Sequence, residues 1–76
     1  MLDNKEKIVN SSIIQSYTYN PDTQTVDIVF KSDTGNTWQY AKVTQSLIDQ
    51  VFNSSGSVGS KFIRLIKNGH KAILLP

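Results

Sequence analysis

Residues 26–31 read Val-Asp-Ile-Val-Phe-Lys, so Val26, Ile28 and Phe30 alternate with Asp27, Val29 and Lys31. A period of two places the two sets on opposite sides of an extended chain, which predicts a strand with one buried face. Punctuation confines it at both ends. Asn20, Pro21 and Asp22 precede it, proline holding φ and the Asn and Asp side chains bonding nearby backbone; Asp33 and Gly35, within residues 32–36, follow it. Beyond these turns lie two more β-type segments. Residues 13–19 are rich in β-branched and aromatic side chains, and residues 37–43 put Trp38 and Tyr40 on one face and Gln39, Ala41 and Val43 on the other. Strands this close in sequence predict a three-stranded antiparallel meander.

The period changes at Val43. Thr44 is a candidate N-cap, and Leu47, Ile48, Val51 and Phe52 gather on one side of a helix that should run to about Asn53. Residues 54–60 are Ser and Gly apart from Val58 and break it, after which Ser57 or Ser60 can cap a second helix. In that helix Phe62, Leu65 and Ile66 share one side with Ile63 at its edge, while Lys61, Arg64 and Lys67 occupy the other. Asn68 and Gly69 stop it, and residues 72–75 can return as a last strand. The expected fold class is α+β: the meander, two short helices on one of its faces, and a C-terminal strand. With 76 residues there is room for one domain. Residues 1–10 should form a loosely ordered arm and residues 11–76 the domain itself.

Composition excludes more than it assigns. There is no cysteine, hence no thiol nucleophile, disulfide framework or usual structural zinc pattern, and the single His70 cannot make a metal site alone. No cofactor is implied. Asp22, Asp27, Asp33 and Asp49 fall in turns or on solvent faces, with no spacing that pairs two of them, so a non-enzymatic protein is expected. The longest apolar run, residues 72–75, is far short of the roughly 18 residues a spanning helix needs, which predicts a soluble, cytoplasmic protein without membrane partners.

Charge layout is informative. Residues 1–60 hold four lysines against six acids, a net of −2, whereas residues 61–76 hold Lys61, Arg64, Lys67 and Lys71 and no acid, a net of +4. Such asymmetry suggests an anionic partner for the C-terminal segment. Three groups of residues could meet one. Gly56-Ser57-Val58-Gly59 between two helices has the form of the loop with which KH modules clamp a nucleic-acid backbone, although the two glycines also serve simply to end one helix and begin the next. The main-chain N–H groups after Ser57, through Gly59 and Ser60 and beside Lys61, could cradle an anion; the spacing is not that of a phosphate-binding Walker loop. Lys61, Arg64 and Lys67 can neutralise phosphates or merely solubilise a helix. Trp38 and Tyr40 can stack on bases or fill the core.

The run Tyr19-Asn20-Pro21-Asp22-Thr23-Gln24-Thr25-Val26-Asp27-Ile28-Val29-Phe30-Lys31, followed by Trp38-Gln39-Tyr40 and later Ser57-Val58-Gly59, resembles the KTSC domain. That is a short module found alone in bacterial and phage proteins and at the C-terminus of some lysyl-tRNA synthetases. The resemblance covers about residues 11–67. Trp38 stands for the first residue of the family's Tyr-x-Tyr pair and Tyr40 for the second; Val43-Thr44 replaces a Val-Pro; Ser57 and Gly59 match a Ser-x-Gly, with Phe62 and Ile66 downstream and Ile63 in place of an Asn. It implies RNA binding as a suggested role. The expected function is thus a binding module for phosphate-bearing ligands, single-stranded RNA or other nucleic acid first. The alternatives are a phage-type sponge that sequesters a signalling nucleotide between subunits of a homo-oligomer, and a protein-interaction or inhibitor module using Phe52, Phe62, Leu74 and Leu75.

Overall fold

The computed structural model describes residues 6–76. Five strands form one antiparallel sheet in the order β1-β2-β3-β4-β5: β1 (Lys7–Ile8), β2 (Ile14–Asn20), β3 (Thr25–Phe30), β4 (Asp33–Tyr40) and β5 (Ala72–Leu74). Between β4 and β5 come helix α1 (Gln45–Phe52) and helix α2 (Val58–Phe62), which runs directly into a π-helical turn, Ile63–Lys67. The α+β class is as expected. The three-stranded meander understates the sheet, which is a continuous five-stranded one.

Register explains which face is covered. Tyr17 pairs with Ile28 and Tyr19 with Val26; Ile28 pairs in turn with Trp38, and Val26 with Tyr40. Directly opposed residues share a face, so the tyrosines of β2, the apolar set of β3 and the aromatics of β4 all point to one side. Both helices close that side. Ile48 and Val51 of α1, Phe62 of α2 and Ile66 of the π-helical turn are buried there. Phe52 stacks on Tyr17 at 3.8 Å between ring centroids. Among the described residues the opposite face carries no helix; Ser16, Thr18, Asp27 and Gln39 lie on it together with Ile8, Val29 and Ile73.

Two expectations require correction. Residues 32–36 do not form the turn: Phe30 pairs with Asp33, which closes the β3–β4 hairpin over Lys31 and Ser32 and draws Asp33 and Gly35 into β4. A shift in the ladder between Ile28 and Phe30 makes this early closure geometrically feasible. The second concerns the N-terminal arm. Residues 1–5 of it lie outside the described residues, but Lys7 and Ile8 pair with Tyr17 and Ser16 as edge strand β1. A two-residue strand is too short to show a sequence period, and pairing supplied by β2 is what orders it.

The local expectations for turns and caps fare better. Asn20 Oδ1 accepts the Asp22 N–H at 3.0 Å, the Asx turn its sequence suggested. Thr44 Oγ1 accepts the Leu47 N–H at 3.3 Å and caps α1. One long-range bond locks the hairpin end to α1: the buried Tyr19 hydroxyl donates to the Val43 carbonyl at 2.6 Å. Burial pushes the Tyr19 and Tyr40 phenols above their ordinary range, because the phenolate is the form that burial penalises.

Tyr19→Phe leaves the Val43 carbonyl without its donor and should cost roughly 1 to 2 kcal/mol, lowering Tm by several degrees in a melt at neutral pH. The unfolded tyrosines ionise near pH 10, below the folded ones. Stability should therefore be intact below that pH and fall as the pH rises through it toward the folded values. Urea titrations between about pH 8 and 11 check this, and the alkaline loss should be smaller in Tyr19→Phe.

Candidate nucleic-acid interface

The Ser and Gly stretch before α2 is built for backbone geometry. Gly56 has φ of +100°, a left-handed conformation that side chains strain to adopt. Gly59 is buried, and a Cβ there would sit 3.0 Å from Ile13 Cγ1 and 3.5 Å from Ser11 Oγ, so glycine is what lets α2 approach the chain entering β2. Ser57 is the cap: its hydroxyl accepts the Ser60 N–H at 3.3 Å, and its carbonyl accepts the Lys61 N–H at 3.1 Å. The Ser57 hydroxyl and the Ser60 N–H thus bond to each other, and Gly59 packs against the chain entering β2.

Lys61 also departs from expectation. Its Nζ turns back over the loop and donates to Ser54 Oγ at 2.6 Å, the Ser55 carbonyl at 2.8 Å and the Ser54 carbonyl at 3.1 Å. That places its charge just past the C-terminus of α1, where unpaired carbonyls and the helix dipole favour a cation. Arg64 and Lys67 have no such engagement in their immediate helix and stand exposed on the solvent side of the π-helical turn, while Ile66 faces the core. The turn is widened because the Asn68 N–H reaches the Ile63 carbonyl, five residues back, at 3.1 Å. Lys71, beyond the turn, is exposed as well.

Of the two ring candidates, Tyr40 is corrected outright. It is only 3% exposed, its ring edge-on to Phe62 with centroids 5.3 Å apart, so no base can stack on it. Trp38 is half-buried between Ile28 and Leu74, with its indole Nε1 3.5 Å from Asp33 Oδ2. Phe52 and Phe62, suggested for partner contacts, are committed to Tyr17 and to the core.

What the fold brings together instead is a groove of about 380 Å³ at the β3–β4 hairpin. Phe30 and Ile63 form its apolar walls, Ser32 and Asp33 its polar lip, and Lys67 its cationic rim. Sequence reasoning missed Phe30, Ser32 and Asp33 as site residues. The alternation of β3 assigned Phe30 to the core and turn chemistry assigned Asp33 to a loop; only the early hairpin closure sets them beside Lys67. The acids lie mostly elsewhere. Glu6 and Asp27 border a cavity of about 300 Å³ on the helix-free sheet face, where Ser16 donates to Glu6 at 2.6 Å and Gln39 to Asp27 at 3.0 Å. His70 donates from Nδ1 to the Ala41 carbonyl at 2.8 Å, a strut between loops. Among the described residues, no three His, Cys, Asp or Glu side chains gather as metal ligands, and no helix is long and apolar enough to cross a membrane.

These features define a small α+β module, one sheet face under two helices and a cation-rimmed groove at its side. The KTSC domain profile matches residues 10–70, and the chain belongs to the KTSC domain family. Among solved structures it is similar to the crystal structure of a KTSC domain protein from Yersinia pestis, with a TM-score of 0.81 and 30% identity over 95% of this chain and 97% of that one. No curated protein matches the sequence.

Because Lys61 is bound into the α1–α2 loop, Lys61→Met should lower stability by about 0.5 to 1 kcal/mol and leave the salt dependence of any anion binding unchanged. Thermal melts and binding titrations on the same variant separate the two.

Proposed function

We propose that this KTSC domain is a non-enzymatic binding module for phosphate-bearing ligands, with single-stranded RNA the foremost, working in the cytoplasm. The observation that carries this reading is the position of Lys67, exposed beside Arg64 and at the same time on the rim of the groove walled by Phe30. A nucleotide needs a cation for its phosphate and an apolar wall for its base, at the separation one nucleotide spans. Arg64 and Lys67 serve the first need and Phe30 with Ile63 the second. Asp33 Oδ1 accepts from Asn36 Nδ2 at 2.9 Å and Oδ2 lies 3.5 Å from Trp38 Nε1; the second lone pair on each oxygen can accept from a base amino group. Lys71 extends the cationic track along the chain. Stacking or apolar contact in such a groove contributes roughly 1 to 3 kcal/mol per base, and the phosphate contacts add a term that salt weakens. The π-helical turn supports the same reading, since turns of this type are frequent at functional sites. Trp38 lies next to Asp33 and reports on the groove through its fluorescence.

Three cations on single-stranded phosphates correspond to a slope of about −2 in log affinity against log salt. Arg64→Glu with Lys67→Glu should weaken binding of an oligoribonucleotide at least about tenfold in 0.1 M salt and flatten that slope below about −1. Phe30→Leu should weaken it with the slope retained. Fluorescence anisotropy over a salt series measures both, and an unchanged affinity in the double variant excludes the basic turn from binding.

A further inference from the structure

Among the described residues, no strand pairs with the outer edge of β5. Leu75 N–H donates to the Thr37 carbonyl at 2.9 Å, and Ala72, Ile73 and Leu74 lie opposite Tyr40, Gln39 and Trp38. Main-chain groups alternate in direction along an antiparallel strand. Ile73 and Leu75 therefore bond to β4, and the N–H and C=O groups of Ala72 and Leu74 point away from the sheet. Edge strands are normally blunted by charge, proline or a bulge. β5, three residues long, carries no charge, proline or bulge within it, and Ile73 and Leu74 are 57% and 50% exposed. The other edge is treated differently, since β1 is only two residues long and carries Lys7.

We propose that β5 pairs antiparallel with β5 of a second copy of this chain, about a two-fold axis through Ile73, joining the two five-stranded sheets edge to edge. In this register Ala72 exchanges both main-chain bonds with the partner's Leu74, and Leu74 does the same with the partner's Ala72. Every outward group of β5 is then paired. A register centred on Leu74 would set Ala72 against the partner's Pro76, which has no N–H, and leave a carbonyl unpaired in each copy. Charge favours the Ile73 register too. Lys71 faces the partner's Leu75, and the two lysines stand about 13 Å apart along the strands, beyond the Debye length of about 8 Å at physiological salt. Leu75 borders the cavity that holds Glu6 and Asp27, so each Lys71 approaches an acid-lined surface. A joint this short buries less than the roughly 1,200 Å² of a standard interface, and the dimer is concentration-dependent rather than obligate. It is independent of the RNA reading, because β5 contributes no residue to the groove.

The natural chain has no cysteine, so single-cysteine variants give a clean readout. Directly opposed Cβ atoms in such a pair lie about 4.5 to 5.5 Å apart, close to disulfide range. With oxidised glutathione, Ile73→Cys should form a disulfide-linked dimer at least about tenfold faster than Ile63→Cys, an exposed position on the helical side. Ile73→Lys, which sets like charges face to face, should stay monomeric in sedimentation velocity at concentrations where the natural chain associates, with circular dichroism and Tm unchanged. Equal cross-linking rates at positions 73 and 63 overturn the pairing, whatever the chain does with RNA. So does sedimentation of the natural chain that is independent of concentration up to about 1 mM.

Discussion

Phe62 is the residue on which the arrangement rests. Fully buried, it meets Tyr40 edge-on at 5.3 Å and 89° and Phe30 at 5.7 Å and 66°, ring arrangements that the aromatic quadrupole favours. Those contacts hold α2 against β3 and β4 at one rotation. Removing such a ring from a core this small would cost about 3 to 5 kcal/mol, a large share of what a domain of this length has. The rotation in turn decides what the following turn exposes. With Phe62 and Ile66 inward, Arg64 and Lys67 have no direction left but solvent, and Lys67 comes to rest beside Phe30.

A second constraint divides the charges between surfaces. The covered face takes its apolar residues from β2, β3, β4 and β5, so polar residues of the same strands fall on the helix-free face, Asp27 among them. Lys61 is withdrawn to satisfy carbonyls past α1. What had been a four-cation segment in the linear chain becomes one structural cation and three exposed ones. The groove and the β5 edge lie on different parts of the domain, so a nucleic acid and a second copy would not compete for the same residues.

Much of this was legible in residue order. The alternation of Val26, Ile28 and Phe30 and the pairing of Trp38 with Tyr40 on one face are local consequences of a two-residue period. Thr44 and Ser57 cap helices because of where they stand before an apolar run. Less legible was anything decided by a partner distant in sequence. Lys7 and Ile8 carry no strand pattern and become a strand only because β2 leaves an edge free. Asp33 and Gly35 have the chemistry of a turn, yet the Phe30–Asp33 pair closes the hairpin two residues earlier. Gly59 was read as a candidate for contact with a ligand, and its reason is Ile13, more than forty positions away in the chain.

Sequence alone determined the α+β class, the order of the inner strands and both helices, the family resemblance that the KTSC match bears out, and the gathering of cations at the C-terminal end. These depend on periodicity, caps and counting, all of which act over a few residues. Tertiary structure decided which candidates remain available to a ligand. It buried Tyr40 and Gly59, folded Lys61 back over the α1–α2 loop, and assembled Phe30, Asp33 and Lys67 from three separate elements. The reason is physical: whether a ring or a charge faces water depends on what packs against it, and that neighbour is chosen by strand register and helix rotation rather than by local spacing.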